Sequence, residues 1–119
     1  MTSTFHIASI VYAVIMVASA IYDFTKPADL IADIARWGYK PGFEIKLGLI
    51  KLVGAAGLLV GLKYDYVGLA AVIGFTIYFA LAVATHFKVK DPAHKHAPAF
   101  ALWAVALGLF FTAVMTVTK

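Results

Sequence analysis

Long apolar stretches alternate with short polar segments along the chain, and this pattern predicts helices that cross a membrane. Three stretches of bilayer-spanning length contain no Asp, Glu, Lys or Arg: 2–22, 66–85 and 97–118. A fourth stretch, 43–62, reaches the roughly 20 residues that a spanning helix needs only if Glu44, Lys46 and Lys51 are tolerated within it. The pattern therefore predicts an all-α integral membrane four-helix bundle.

The predicted bundle uses nearly the whole chain, so we expect residues 1–119 to form a single domain. No long linker, low-complexity run or clear internal repeat interrupts it. The expected spans cover about 6–22, 44–62, 66–86 and 97–117.

The segment between the first two spans has a helical pattern of its own. Leu30, Ile31, Ile34 and Trp37 recur at helical spacing, with charged residues between them. The segment is too short and too charged to cross a bilayer. Because Trp37 and Tyr39 are residue types that favour the headgroup level, we predict a short interfacial helix. An ordinary connecting helix is the alternative.

Composition supports the membrane class. The chain of 119 residues is 63% apolar and 13% charged, whereas soluble domains are about 45–50% apolar and about 25% charged. The chain has no cysteine, which excludes a disulfide framework, a thiolate nucleophile and a thiolate metal site. A self-sufficient thiol oxidoreductase is thereby excluded, and the first expected partner is the lipid bilayer.

The basic residues are unevenly distributed over the predicted loops. Seven lie on the side of the first and third loops and two on the side of the termini and second loop: Lys26, Arg36, Lys40, Lys46, Lys88, Lys90 and Lys95 against Lys63 and Lys119. The positive-inside rule places the first and third loops in the cytoplasm and both termini outside. We expect a multi-pass protein of the cell membrane, in a bacterial inner membrane. This explains the net charge of +4 without a nucleic-acid partner.

Small residues indicate where helices approach one another. Gly57 and Gly61 form a Gly-x-x-x-Gly motif in the second span, and Gly68, Ala71 and Gly74 follow in the third. Such residues let helix backbones pack closely in lipid. The motif does not identify what is packed, so a homo-oligomer and a membrane or redox partner protein are both candidates.

Polar side chains within the spans indicate a second feature, a polar interior. Hydrocarbon-facing sides must be apolar, so these residues are expected to point into the bundle. At 3.6 residues per turn, residues seven apart share a helix face, as Glu44 and Lys51 do, with Gly48, Ala55 and Leu58 on the same face. We predict a pocket for a lipophilic ligand, a quinone or a lipid, lined by Tyr12, Asp23, Glu44, Lys51, Tyr78 and His86.

Lys51 is the most deeply placed charge, about 10 Å from the start of its span at 1.5 Å per residue. A central charge costs at least about 2.5–3.5 kcal/mol. A carboxylate, Glu44 or Asp23, could offset this cost. In the alternative interpretation Lys51 extends to the headgroups and contributes only to stability. Lys46 lies near the end of the span, and its side chain is expected to extend to the headgroups.

Other candidate chemistry is sparse. Asp23, Glu44 and His86 are candidate acid–base groups for catalysis, since buried carboxylates can hold protons. His94 and His96 lie in a loop with no closed set of ligands around them, so we predict no metal site. No phosphate-binding glycine loop, Gly-x-Ser-x-Gly or His-Glu-x-x-His motif is present in the sequence.

Two segments carry a resemblance to a known family. GYKPGFEIKLGLIKLVGAAGLLVGL, at 38–62, contains Gly-Tyr-x-Pro and then Gly-x-x-Lys-Leu-x-Gly. THFKVKDPAHKHAP, at 85–98, contains His-x-x-x-x-Asp-Pro and ends in Ala-Pro. Together they resemble the DoxX-like family of small membrane proteins over nearly the whole chain. The motif positions are occupied here by Gly48, Lys51, Gly54, His86, Asp91 and Pro92.

The resemblance implies a four-helix membrane bundle. Named relatives include subunits associated with thiosulfate:quinone oxidoreduction, and a distant eukaryotic relative is an assembly chaperone for receptors. Three hypotheses follow for this chain. It is an accessory or binding subunit for a lipophilic ligand, a structural or chaperone-like assembly factor, or a small membrane enzyme that uses acid–base chemistry. The sequence leaves open whether the protein is an enzyme.

Overall fold

A computed structural model of the chain describes residues 2–25, 28–40, 42–90 and 93–118, with backbone only for residues 2 and 93–96. The described residues form five helices and no strand, which confirms the all-α prediction. Four helices are long and one is short: α1 (Thr2–Phe24), α2 (Ala28–Arg36), α3 (Phe43–Val60), α4 (Asp65–Lys88) and α5 (Ala93–Val117).

The four long helices pack side by side in an up-and-down arrangement. α1 contacts α3 and α5, α4 contacts the same two helices, and the short α2 lies against α3. The tight connection between α3 and α4 places them as an antiparallel pair. The protein measures 45 × 24 × 18 Å, so its long axis exceeds the hydrocarbon thickness of a bilayer, about 30 Å.

Three of the four long helices have the length and composition of membrane-spanning helices. Within the described residues, three are long and apolar enough to cross a bilayer: Ser3–Phe24, Asp65–Lys88 and Ala97–Val117. α3 has 18 residues and carries the three charges noted in the sequence. Large apolar side chains cover the outside, with Val53 73% exposed and Leu81 64% exposed. Apolar surface this extensive requires lipid contact, and the protein is therefore a multi-pass membrane protein.

Burial follows the inward faces expected from helical spacing. On α3 the buried residues are Glu44, Gly48, Lys51, Ala55 and Leu58. This is the inward face predicted from the sequence, and that prediction is confirmed. Lys46 is exposed on another face of the helix, also as predicted.

The apolar core fills the half of the bundle that contains the α3–α4 turn. Phe5 and Met16 of α1, Leu58 of α3, and Val72 and Phe75 of α4 are among its buried members. The polar residues of the interior lie mostly towards the opposite end, which leaves that end available for a site.

Two glycines allow α3 and α4 to come together at their turn. A Cβ atom placed on Gly61 would overlap the backbone of Gly68, and one placed on Gly68 would lie 2.8 Å from the ring of Phe5. Backbone atoms cannot move aside as a flexible side chain can. By contrast, a Cβ atom on Gly74 or Gly108 would meet no atom within 4 Å.

We predict that Gly61→Ala destabilises the bundle by about 1–3 kcal/mol, as expected for overpacking at a rigid contact. Gly74→Ala should be neutral or up to about 1 kcal/mol stabilising, because alanine is the better helix former and finds open space there. Unfolding in a series of denaturing-detergent mixtures measures both. Equal stability of the two variants would contradict the close helix contact.

Candidate functional site

A cavity of about 570 Å³ lies at one end of the bundle, among all five helices. This end contains the end of α1, the first half of α3, the last part of α4 and the start of α5. The polar side chains that line it are Ser19, Tyr22, Asp23, Asp33, Tyr39, Lys51, Tyr78, Thr85 and His86. The remaining wall is apolar and includes Trp37, Phe43, Ile50, Phe79 and Leu102.

Lys51 is bound to two partners from α1. Its ammonium Nζ donates to Asp23 Oδ2 at 2.7 Å and to Ser19 Oγ at 2.8 Å. Lys51 is 8% exposed and Asp23 is 3% exposed, so this ion pair is buried within the bundle. The structure therefore selects Asp23, of the two predicted carboxylates, as the partner of Lys51.

The direction of the lysine side chain follows from helix geometry. Side chains on a helix lean towards its N-terminus, and the N-terminus of α3 lies at the cavity end. Lys51 thus leans in the direction that a snorkelling lysine would take. It meets a carboxylate and a hydroxyl inside the bundle instead of reaching water, so the snorkelling interpretation does not describe it.

Two residues after α2 complete the cavity wall. Gly38 has a φ of 86°. Beside it, the N–H of Gly38 donates to the carbonyl of Ala35, and the N–H of Tyr39 donates to the carbonyl of Ile34. This pattern is a Schellman motif, in which a left-handed glycine ends the helix and turns the chain. The turn is consistent with the position of Tyr39, whose hydroxyl lies 3.3 Å from Thr85 Oγ1 on α4.

Aromatic rings from the segment after α2 meet rings of α3 and α4 at the same wall. Trp37 packs edge-on against His86 with ring centroids 5.1 Å apart. Tyr39 stacks on Phe43 at 4.4 Å. These contacts make the segment after α2 part of the cavity, which the sequence did not reveal. Trp37 and Tyr39 carried an aromatic signal in the sequence, but that signal was interpreted as position at the headgroups.

The structure brings together four of the six residues predicted to line the pocket. Asp23, Lys51, Tyr78 and His86 all face the cavity. Among the described residues, no hydrogen-bond partner of the Tyr78 hydroxyl is present, so this hydroxyl can serve a ligand. These four residues come from α1, α3 and α4.

The other two predicted residues are buried beside the cavity and do not line it. The Tyr12 hydroxyl donates to the carbonyl of Leu102 at 3.0 Å, which ties α1 to α5. Glu44 is 2% exposed, and its Oε2 atom has no hydrogen-bond partner among the described residues. The candidate acid–base set therefore divides, with Asp23 and His86 on the cavity wall and Glu44 elsewhere in the interior.

The remaining residues singled out in the sequence lie outside what the structure describes. Asp91 and Pro92 fall in an undescribed gap, and only the backbone of His94 and His96 is described, within α5. Among the described residues no group of three or more His, Asp or Glu side chains could hold a metal ion.

The charges on the cavity wall are matched in pairs within the described part of the chain. Lys51 faces Asp23 at 2.7 Å, and Asp33 faces Arg36 at 2.6 Å. The Lys51 ammonium has three N–H groups, and the two described acceptors leave one of them for a ligand. The cavity thus combines an apolar wall with hydrogen-bond donors and little net charge.

We predict that Lys51→Met alone destabilises the protein by about 3–5 kcal/mol, because it leaves the Asp23 carboxylate buried without its cation. The double variant Asp23→Leu with Lys51→Met should recover most of this loss, since replacing both partners of a buried pair is often neutral. The measurement is unfolding in denaturing-detergent mixtures. Lys46→Met is the control, because Lys46 is exposed on the same helix. A Lys51→Met variant as stable as this control would contradict a buried ion pair.

Comparison with known proteins adds one positive finding. No curated protein and no solved structure matches the chain. A family match covers residues 7–109, which includes most of α1, all of α2 to α4 and most of α5, and therefore every described residue of the cavity wall. The chain belongs to the DoxX-like family.

Proposed function

We propose that this protein is an accessory or binding subunit that holds a lipophilic ligand in the cavity around Lys51 and Asp23. The observation that carries the proposal is the buried ion pair on the wall of a mostly apolar cavity within a membrane bundle. Sites for small ligands are typically concave and mostly apolar, with a few polar groups that fix orientation. This cavity has that composition, and its volume of about 570 Å³ lies within the usual range of roughly 300–1,000 Å³.

The proposal includes α3 as a fourth membrane span. Its 18 residues extend about 27 Å at 1.5 Å per residue, close to the hydrocarbon thickness. α3 lies between α1 and α4, which are both long and apolar enough to cross, so it occupies the same layer. Three charged residues in α3 would be costly if they faced hydrocarbon. Glu44 and Lys51 are instead buried inside the bundle, and Lys46 lies near the start of the helix, so these charges are compatible with a membrane span.

Within this arrangement the cavity end faces the cytoplasm. Seven of the nine basic residues assigned to the two sides belong to that end, in the connections between α1 and α3 and between α4 and α5 or in the helix turns that flank them. The positive-inside rule then places these two connections on the cytoplasmic side and both termini on the opposite side. The membrane in this proposal is a bacterial inner membrane. The short α2 (Ala28–Arg36) lies at the membrane interface, because a strongly amphipathic helix can place its apolar face towards lipid and its charged face towards water.

The charge balance of the cavity favours an uncharged, hydrogen-bonding head group. An anionic or cationic head would enter a site whose described carboxylates and lysine are already paired. It would lose its hydration without a free counter-charge. The free N–H of Lys51 and the hydroxyl of Tyr78 both donate, which suits a carbonyl acceptor. A quinone or a neutral lipid has this chemistry.

Any redox or catalytic step is assigned to a partner protein in this proposal. Asp23 is engaged by Lys51, and Glu44 does not line the cavity, so the three acid–base candidates do not converge on one ligand. The role that remains for this chain is to bind, orient and shield the ligand from water.

We predict that the protein in lipid nanodiscs binds trimethyl-decyl-benzoquinone, and that the double variant Asp23→Leu with Lys51→Met binds it about tenfold or more weakly. Hydrogen bonds to charged groups are worth about 1.5–3 kcal/mol, which corresponds to roughly ten- to a hundredfold. Quenching of Trp37 fluorescence reports binding, in a Trp103→Phe background that leaves Trp37 as the single tryptophan.

Decyl phosphate is the matched competitor, since it has the same chain and an anionic head. We expect it to displace the quinone poorly. Empty nanodiscs give the partition background, and Lys46→Met is the control variant. Equal binding by the double variant and the unmodified protein would refute the site, and stronger binding of decyl phosphate would refute the preference for an uncharged head.

We predict opposite accessibility for the two ends of the bundle. The chain contains no cysteine, so single cysteines can be introduced without background. Tyr64→Cys, in the α3–α4 turn, should react with a membrane-impermeant maleimide in intact cells. Lys88→Cys, at the cavity end, should react only after the membrane is opened. The reverse pattern would contradict the proposed topology, and labelling of both in intact cells would contradict the antiparallel spans.

A further inference from the structure

A second concave surface lies on the outer side of α3 and α4, beyond the cavity. It is a groove of about 550 Å³. Its principal lining residues are Val53, Gly54 and Gly57 of α3, and Ala71, Gly74 and Phe75 of α4. Every residue that lines the groove is apolar or glycine, so it offers no hydrogen bond from a side chain.

The groove and the cavity are two parts of one seam between α3 and α4. Ile50 lines both. Phe75 lines the groove and Phe79 lines the cavity, and their rings stack at 6.3 Å between centroids. On α3 the seam residues recur at intervals of three and four, at Phe43, Leu47, Ile50, Gly54 and Gly57, which places them on one helix face.

Polarity changes along this seam in one direction. The cavity end holds the Lys51–Asp23 pair, while the groove end holds only hydrocarbon and glycine. An amphiphile has the same division between a polar head and an apolar chain. We propose that the groove binds the hydrocarbon chain of the ligand whose head lies in the cavity, so that the ligand class is a long-chain amphiphile with an uncharged head.

This inference rests on the proposed function. It also sets the length of the hydrocarbon chain that the ligand needs. From Ile50, which also lines the cavity, the groove extends along α3 to Gly57, about 10 Å at 1.5 Å per residue. A ligand that fills it needs a chain that continues about 10 Å beyond Ile50. A head group with only methyl substituents reaches the cavity alone.

Continuity with the cavity favours a chain over a helix of a second copy as the occupant. A flexible chain can follow the seam past Ile50 into the cavity. A helix is about 10–12 Å across with its side chains, so it would lie over the groove without entering the cavity. Open space at the missing side chain of Gly74 adds room for methylene groups on the groove floor.

Two glycines provide a matched pair of variants for the test. Gly74 lies in the groove and Gly108 lies on α5, outside it. Both are exposed helical positions where an added Cβ atom meets nothing within 4 Å. Gly74→Leu therefore adds a side chain to the groove lining at a position where its Cβ atom meets no other atom, and Gly108→Leu adds the same side chain elsewhere on the membrane-facing surface.

The experiment compares two probes with the same head, tetramethyl-benzoquinone and trimethyl-decyl-benzoquinone, by Trp37 quenching in nanodiscs in the Trp103→Phe background. We expect Gly74→Leu to weaken binding of the decyl probe about tenfold, because the added side chain displaces part of the decyl chain and removes its van der Waals contacts with the groove. Binding of the tetramethyl probe should not change, and Gly108→Leu should change neither.

The outcomes separate the two proposals. If neither probe binds the unmodified protein, the proposed function fails and the groove inference fails with it. If both probes bind and Gly74→Leu weakens both equally or neither, the proposed function stands and the chain-binding groove is refuted. If Gly74→Leu instead changes the mass of the assembly in native mass spectrometry while decyl binding is unchanged, the groove is a contact between copies.

Discussion

The buried ammonium of Lys51 meets the opposite charge of Asp23, and this ion pair offsets the cost of burying both groups in the bundle. Insertion of an unpaired central lysine costs several kcal/mol, so α1 and α3 are held in the one rotation and register that bring the two side chains together. Ser19 adds a further acceptor from α1. The same contact leaves a polar group on the wall of a cavity, so stability and the candidate site share one interaction.

The two ends of the bundle differ: one is tightly packed and the other contains the cavity. Near the α3–α4 turn, Gly61 and Gly68 bring backbones into contact, and large apolar side chains fill the interior. At the other end, α2 and the residues after it pack against α3 and α4 through Tyr39 and Trp37. Packing is therefore tight where small residues allow it, and a cavity remains where bulky aromatic rings form the wall.

A short loop helix becomes part of the site through its final turn. Gly38 adopts a left-handed conformation, which costs glycine little and other residues more. The chain after it reaches α4, and the rings of Trp37 and His86 meet. The aromatic residues of this segment thus form part of the cavity wall. A position at the lipid headgroups alone would not require these contacts. The proposed interfacial position of α2 is compatible with this wall, because the cavity lies at that end of the bundle.

The sequence by itself determined the helices and the faces that they bury. Apolar runs of spanning length set the long helices, and 3.6-residue periodicity placed Glu44, Lys51 and Leu58 on one inward face. Only the tertiary structure decided which carboxylate pairs with Lys51, because Asp23 and Glu44 were both within plausible reach and the choice depends on the rotation of α1 against α3. It likewise separated Glu44 from the cavity and brought Trp37 to it. Periodicity gives direction around one helix axis, whereas distances between helices arise from packing.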